Sequence, residues 1–249
     1  SNIDLKENLS TESYKLIKQA FLENLVLIFK DQNLSPNDLL SVTKIWGQPQ
    51  IHPVFKGLDE YPEIIKIENY GQEFHANAHW HSDVTFEEEP PDATILYAIE
   101  MPDKGGNTLF ASQYFTYESL EQSLKEKFSS SEAINSNKSV ILLAGADLSL
   151  VKSVKHPIFR THPETDKKAL YVTQAFVEKI EGLSNKESED LLSLLYEHCS
   201  KKEFIYEHKW HNGDLVIWDN RCVQHFAVHD HGNQTRTLHR ITVNGSKPY

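Results

Sequence analysis

His79-Trp80-His81-Ser82-Asp83-Val84-Thr85-Phe86 (HWHSDVTF) places a histidine and an aspartate two residues apart. Strand side chains alternate between faces, so on a strand His81 and Asp83 project to one side. Far downstream, Trp218–Phe226 (WDNRCVQHF) offers a second histidine, His225. Two imidazoles and one carboxylate cap one face of an octahedral metal and leave the remaining positions open, the ligand pattern of non-haem Fe(II) oxygenases. Arg236 follows His225 by eleven residues. It is placed to hold the distal carboxylate of a 2-oxoglutarate co-substrate.

The run Gly213-Asp214-Leu215-Val216-Ile217-Trp218 reads as a turn into a buried strand that delivers His225 toward the core. Other β-rich runs are Glu63–Ile67, Ala93–Ile99, Thr108–Ala111, Ala169–Thr173 and Thr237–Val243. Leu25–Phe29 reads as one more buried strand. Thr11–Glu23 has the apolar spacing of an amphipathic helix, with Leu16, Ile17, Ala20 and Phe21 on one side. Ser35-Pro36 opens a second helix, Ser as N-cap and Pro at the first helical position, which Gly47 ends. Ser184 and Glu187 form a capping box ahead of Leu191, Leu192 and Leu195. The Ser/Asn-rich stretch Ser129–Ser139 reads as a mobile surface segment. Short strands with turn signals and a few helices predict mixed β with helices: a double-stranded β-helix (jelly-roll) barrel with flanking helices. No repeat or low-complexity linker interrupts the chain, so residues 1–249 are expected to form one domain.

Composition narrows the function. The 249 residues carry a formal net charge of −11. So acidic a protein is a poor default binder of nucleic acid or of an anionic membrane. An anionic substrate would need local arginines to reverse that field. The two cysteines, Cys199 and Cys222, are too few for a disulfide framework, which favours a reducing cytoplasm. No apolar run approaches the roughly 20 residues that span a bilayer. The opening Ser1-Asn2, without Met, reads as a cleavage scar.

His79, His81 and Asp83 share one strand face, so a zinc hydrolase with an H-x-H-x-D motif is an alternative. That motif wants a histidine directly after the aspartate, and Val84 follows here. His79 is therefore expected to support the metal site from behind or to face solvent. His229, His231 and His239 read as polar or hydrogen-bonded core residues, and Asp230 as a loop carboxylate.

Several blocks resemble the taurine dioxygenase group of Fe(II)/2-oxoglutarate-dependent dioxygenases, which includes the 2,4-dichlorophenoxyacetate enzymes. They are HPVF at His52–Phe55, HWHSDVTFEEEPPDATIL at His79–Leu96, GGNTLFAS at Gly105–Ser112, RTHPETDKKALYV at Arg160–Val172, WDNRCVQH at Trp218–His225 and RTLHR at Arg236–Arg240. The resemblance runs from Leu25 to Asn244. It implies that His81, Asp83 and His225 ligate Fe(II), and that Thr108 and Arg236 bind 2-oxoglutarate. It also implies that His52, Arg240 and the amide of Val84 hold a substrate anion, with Asn77 and Phe176 lining the pocket. Phe55 stands where the taurine enzyme has tyrosine, which removes one polar contact and argues for a substrate less polar than taurine.

The activity implied is hydroxylation of a small anionic substrate by dioxygen, with succinate and carbon dioxide as co-products. A sulfonate such as taurine is the first expectation, releasing sulfite and an aldehyde. An alkyl sulfate, an aryloxyacetate or another carboxylate is the alternative within that chemistry. A non-catalytic jelly-roll binding protein is a different class, though a pure binder has no need of the triad, Thr108 and Arg236 together. A cytoplasmic homo-oligomer is expected.

Overall fold

The computed structural model describes residues 3–7, 9–69 and 79–249. Among them the helices are α1 (Thr11–Asn24), α2 (Pro36–Thr43), α3 (Gln113–Glu118), α4 (Gln122–Lys127), α5 (Lys138–Leu143) and α6 (Asn185–Cys199). The early strands are β1 (Val26–Phe29), β2 (Pro49–Gln50), β3 (Ile65–Asn69), β4 (Ala93–Glu100) and β5 (Thr108–Ser112). Next come β6 (Glu132–Ser136), β7 (Ser153–Pro157), β8 (Phe159–Thr161), β9 (Lys168–Leu170) and β10 (Val177–Ile180). The last four are β11 (Ile205–His208), β12 (Leu215–Asp219), β13 (Val223–Ala227) and β14 (Arg236–Val243).

Two antiparallel sheets frame the molecule. The larger runs β1-β12-β4-β14-β2, with β3 also paired to β14. The smaller runs β11-β5-β13. Both faces of the larger sheet are covered, which is why β4 and β12 read as continuous apolar runs rather than as alternation. Ile95, Tyr97, Leu215, Ile217, Ile241 and Val243 pack with α1 and α2 on one face. Leu96, Ala98, Val216, Trp218 and Leu238 pack on the other face with Phe110 and Val223 of the smaller sheet. A third core lies where α6 covers residues of β6, β8, β9 and β10.

Three expectations are corrected. The stretch Ser129–Ser139 is no mobile surface segment: it contains β6, paired on both sides, and buries Ala133, Asn135, Ser136 and Asn137. Its asparagines bond inward, for example Asn135 Oδ1 accepting from Thr85 Oγ1 at 2.9 Å. The helix begun at Ser35 stops at Thr43, four residues before Gly47, and passes into tight turns with Ile45 N–H on Val42 and Trp46 N–H on Thr43. The run Ala169–Thr173 forms strand only through Leu170. The capping boxes at Ser35/Asp38 and Ser184/Glu187 are both present.

Candidate metal centre

His81 lies outside the sheets' regular strands. It makes an isolated antiparallel bridge with His225, each backbone N–H donating to the other's carbonyl, at 3.1 and 2.8 Å. The chain then turns, and Asp83 comes round beside the two imidazoles. The expectation that His81 and Asp83 share a regular strand face is thus corrected: a bridge followed by a turn brings them together. That turn needs Val84 at φ 54°, a conformation costly for a β-branched residue and typical of functional sites. The Leu215 strand does not deliver His225 either. It ends at Asp219, and the chain crosses through Asn220–Cys222 to β13 of the smaller sheet, which carries His225.

The donor atoms converge. His81 Nε2 lies 3.7 Å and His225 Nε2 3.9 Å from Asp83 Oδ1. All three residues are buried. His81 Nδ1 donates to the His79 carbonyl at 2.7 Å, so its Nε2 presents a lone pair to the centre. His79 itself is exposed, and its carbonyl supplies this support. The His225 ring is held by packing, 4.5 Å between ring centres from Trp218. Burial lowers the pKa of both imidazoles, keeping them neutral as metal ligands must be. Burial opposes ionisation of Asp83, but the Arg240 charge, helped by the Thr94 hydroxyl, outweighs it and holds the carboxyl below its usual range. Two neutral nitrogens and one carboxylate oxygen suit a divalent first-row metal such as Fe(II).

Two pockets adjoin this centre and share His81, Asp83 and Arg240. The smaller is lined by His81, Asp83, His225, Thr108, Arg236 and Arg240, among others. Arg236 is buried, and among the described residues no carboxylate pairs with it. Burial pushes its pKa down to about 10. Its Nε donates to the Gly106 carbonyl at 2.9 Å and its Nη2 to Thr108 Oγ1 at 3.4 Å. Thr108 also accepts from Trp210 Nε1 at 2.9 Å, so its own hydroxyl hydrogen remains for an incoming acceptor. A buried cation without a counter-ion, beside a free hydroxyl donor, is a receptor for a carboxylate.

The second pocket, about 220 Å³, is lined by His52, Phe55, Asp83, Val84, Phe176 and Arg240, with Phe86, Val140 and Leu143 adding apolar wall. Arg240 pairs with Asp83 Oδ1 at 2.8 Å. His52 Nδ1 accepts the backbone N–H groups of Val54 and Phe55 at 3.1 and 3.0 Å, which leaves Nε2 as a donor. Burial, then the charge of Arg240, pushes its pKa down to about 3. Among the described residues, no protein group accepts the Val84 N–H. Phe176 stands edge-on to His81 at 5.9 Å. Asn77 lies outside the described residues.

Three contributors escaped the sequence reading. Thr94 and Asn220 bond toward Asp83, with Thr94 Oγ1 on Asp83 Oδ2 at 2.6 Å. Asp230, read as a plain loop carboxylate, accepts the Gly106 N–H at 2.8 Å and so fixes the carbonyl that orients Arg236. The Gly105-Gly106 pair was the available signal, since both have positive φ and a Cβ on Gly105 would meet Asp230 Oδ1 at 2.4 Å. A second cluster, His162, Asp219 and Cys222, is structural. His162 Nδ1 accepts from Glu164 N–H, so Nε2 donates to Asp219, whose oxygens also take three bonds from Arg221. Of the remaining histidines, His231 is buried and His229 and His239 are half-buried.

The family model for taurine catabolism dioxygenase TauD, TfdA family, matches residues 1–242. An alkylsulfatase of Acinetobacter baylyi is 32% identical over 98% of this chain and 81% of its own length. An alpha-ketoglutarate-dependent sulfate ester dioxygenase of Pseudomonas putida is 31% identical over 99% of this chain and 85% of its own. The crystal structure of a taurine dioxygenase from Burkholderia xenovorans superposes with a TM-score of 0.87 at 31% identity, covering all of this chain and 85% of that one.

Proposed function

The chain belongs to the taurine catabolism dioxygenase TauD, TfdA family, and from that premise we propose that it oxidises a small organic sulfate ester or sulfonate with an apolar body. It is an Fe(II)- and 2-oxoglutarate-dependent dioxygenase acting on small anionic substrates. In this reading His81, Asp83 and His225 hold the iron, and the two framing sheets form a single-domain double-stranded β-helix. When bound, Fe(II) supplies the redox chemistry that couples decarboxylation of 2-oxoglutarate by dioxygen to substrate oxidation.

The chain's own residues divide the remaining work. Arg236 and Thr108 grip the far carboxylate of 2-oxoglutarate by charge-assisted hydrogen bonds. In the larger pocket, Arg240, the His52 Nε2–H and the Val84 amide present donors to the substrate anion. Phe55, Phe86, Val140, Leu143 and Phe176 exclude water and receive the carbon body, orienting one C–H bond toward the centre. Hydroxylating the carbon next to the ester oxygen or sulfur gives an adduct that collapses to an aldehyde and sulfate or sulfite.

The observation that carries this reading is that two pockets meet at His81 and Asp83: the smaller holds the unpaired, buried Arg236 with Thr108, and the larger, about 220 Å³, sets Arg240 and His52 among Phe55, Phe86, Val140, Leu143 and Phe176. Taurine's ammonium would meet that wall with no carboxylate except Asp83 among the described lining residues. Names of relatives support the sulfate reading, since one is an alkylsulfatase and one acts on sulfate esters. Among the described residues no helix is long and apolar enough to cross a membrane, and both cysteines are free and buried. We place the enzyme in the cytoplasm as a homo-oligomer.

The test is succinate formation with Fe(II), 2-oxoglutarate and dioxygen in the presence of hexyl sulfate, hexanesulfonate, taurine or a phenoxyacetate. Strong stimulation by hexyl sulfate or hexanesulfonate, with matching sulfate or sulfite, is expected. Preference for taurine would reassign the apolar wall. Wild-type coupled turnover in Asp83→Ala or His225→Ala would remove the triad from its role.

A further inference from the structure

Asp83 is held from behind by a chain of buried polar groups whose hydrogen-bond directions are all determined. The chain starts at the indole of Trp218, which can only donate. Trp218 Nε1 lies 2.9 Å from Asn220 Oδ1, and the Asp83 backbone N–H approaches the same oxygen at 3.3 Å. Two donors fix that atom as the amide oxygen, so the amide nitrogen faces Thr94. Asn220 Nδ2 donates to Thr94 Oγ1 at 2.7 Å. With its oxygen already accepting, Thr94 turns its hydroxyl hydrogen to Asp83 Oδ2 at 2.6 Å. Trp218, Asn220 and Thr94 are all fully buried, so water cannot substitute for any member. The turn carrying Asn220 is itself tied down, its backbone N–H donating to the Asp92 carbonyl at 2.9 Å.

The consequence falls on the two carboxylate oxygens unequally. Oδ2 is engaged by Thr94, whereas Oδ1 faces His81 Nε2, His225 Nε2 and Arg240. We propose that Thr94 and Asn220 are positioning residues that hold Asp83 as a one-oxygen metal ligand, with Oδ1 forward and Oδ2 withheld. A carboxylate free to rotate could chelate through both oxygens and close a position that co-substrate or dioxygen needs. Neither residue touches the metal; each acts through Asp83. The proposal rests on His81, Asp83 and His225 being the metal site.

The experiment measures Mn(II) binding to the apoprotein by the electron paramagnetic resonance signal of free Mn(II). Water proton relaxation counts the waters left on bound Mn(II). Thr94→Val keeps the shape and removes the hydroxyl. We expect its Mn(II) Kd to rise about 10- to 100-fold, the usual effect of losing such a partner, with fewer waters on the bound ion. Thr94→Ser should restore both values. Asn220→Ala frees the Thr94 hydroxyl to turn away and should give a loss in the same direction. Unfolding of each apoprotein by urea reports folding separately. A wild-type Kd and water count in Thr94→Val, or a Thr94→Ser protein as impaired as Thr94→Val, would overturn the proposal. So would a loss of apoprotein stability with metal binding unchanged. His225→Ala separates the two levels: wild-type Mn(II) affinity there would overturn the metal site itself, whereas weakened affinity there with normal Thr94→Val overturns only the positioning role.

Discussion

Arg236 and Arg221 are both buried, but their partners differ in kind. Arg221 is paired with Asp219, Glu164 and Asp92, while Arg236 has backbone and hydroxyl partners alone among the described residues. Hydrogen bonds to charged groups contribute about 1.5–3 kcal/mol each. Arg236→Ala should therefore raise the 2-oxoglutarate requirement at least tenfold and leave Mn(II) affinity in place; titration of succinate formation against 2-oxoglutarate checks it. Asp230→Ala should move the same parameter in the same direction by less, because it loosens Gly106 rather than removing the cation. An Asp230→Ala enzyme with an unchanged 2-oxoglutarate requirement would show that the Gly106 carbonyl needs no such clamp. Sequence made His81, Asp83, His225 and Arg236 legible because metal and carboxylate recognition demand particular side chains. Thr94, Asn220 and Asp230 were illegible because their roles depend on which atom of which neighbour they meet, and a threonine in an apolar strand looks like β-propensity alone.

Strand β14 carries the division of labour at the next scale. Arg236, Leu238 and Arg240 alternate onto the face turned to the smaller sheet, so the two arginines lie roughly 13 Å apart along one strand at about 3.3 Å per residue. Arg236 lines only the smaller pocket, whereas Arg240 lines both. Apolar, β-rich runs made this strand readable, along with β4, β5 and β12, because each buries most of its side chains. Strand β6 was not readable: its buried Asn135 is satisfied by the distant Thr85 and its Ser136 by the Lys138 N–H, and composition alone marked them as loop. Strand β13 was merged with β12 because Asn220–Cys222 lacks glycine or proline, the usual marks of a reversal. Helix α6 tests the cap reading in isolation. Its N-cap Ser184 accepts from Glu187 N–H, and the helix packs on the third core, away from the triad. Ser184→Ala should cost about 1 kcal/mol in urea unfolding and leave the kinetic constants unchanged. A change in KM for 2-oxoglutarate would reveal a coupling between that core and the site that the packing does not suggest.

Across the whole molecule, a formal charge of −11 surrounds an interior that concentrates cations and neutral imidazoles. Arg236 and Arg240 set a local positive field that an anionic substrate meets only inside the pockets. The neutral histidines set the acid limit of the fold. Burial lowers the pKa of His52 to about 3 and of His208 to about 4. It lowers those of His81, His156 and His225 as well. In the unfolded chain each imidazole takes its proton near pH ~6.5. Between that pH and its folded value, the unfolded state binds more protons than the native one, so stability must fall as pH falls. Each group contributes a slope of up to about 1.4 kcal/mol per pH unit, and several act together. The depressed carboxylates Asp83, Asp219 and Glu164 work in the same direction at lower pH, since their stabilisation is lost as they protonate. The urea midpoint of the apoprotein should accordingly drop steeply from pH 7 to pH 5. Saturating Mn(II) should raise the midpoint across this range and leave the drop in place, because the metal binds only the native state, whose His81 and His225 are already neutral. A midpoint that stays level between pH 7 and 5 would mean that these imidazoles are protonated in the native state, and the neutral donor set at the metal centre would fall with them.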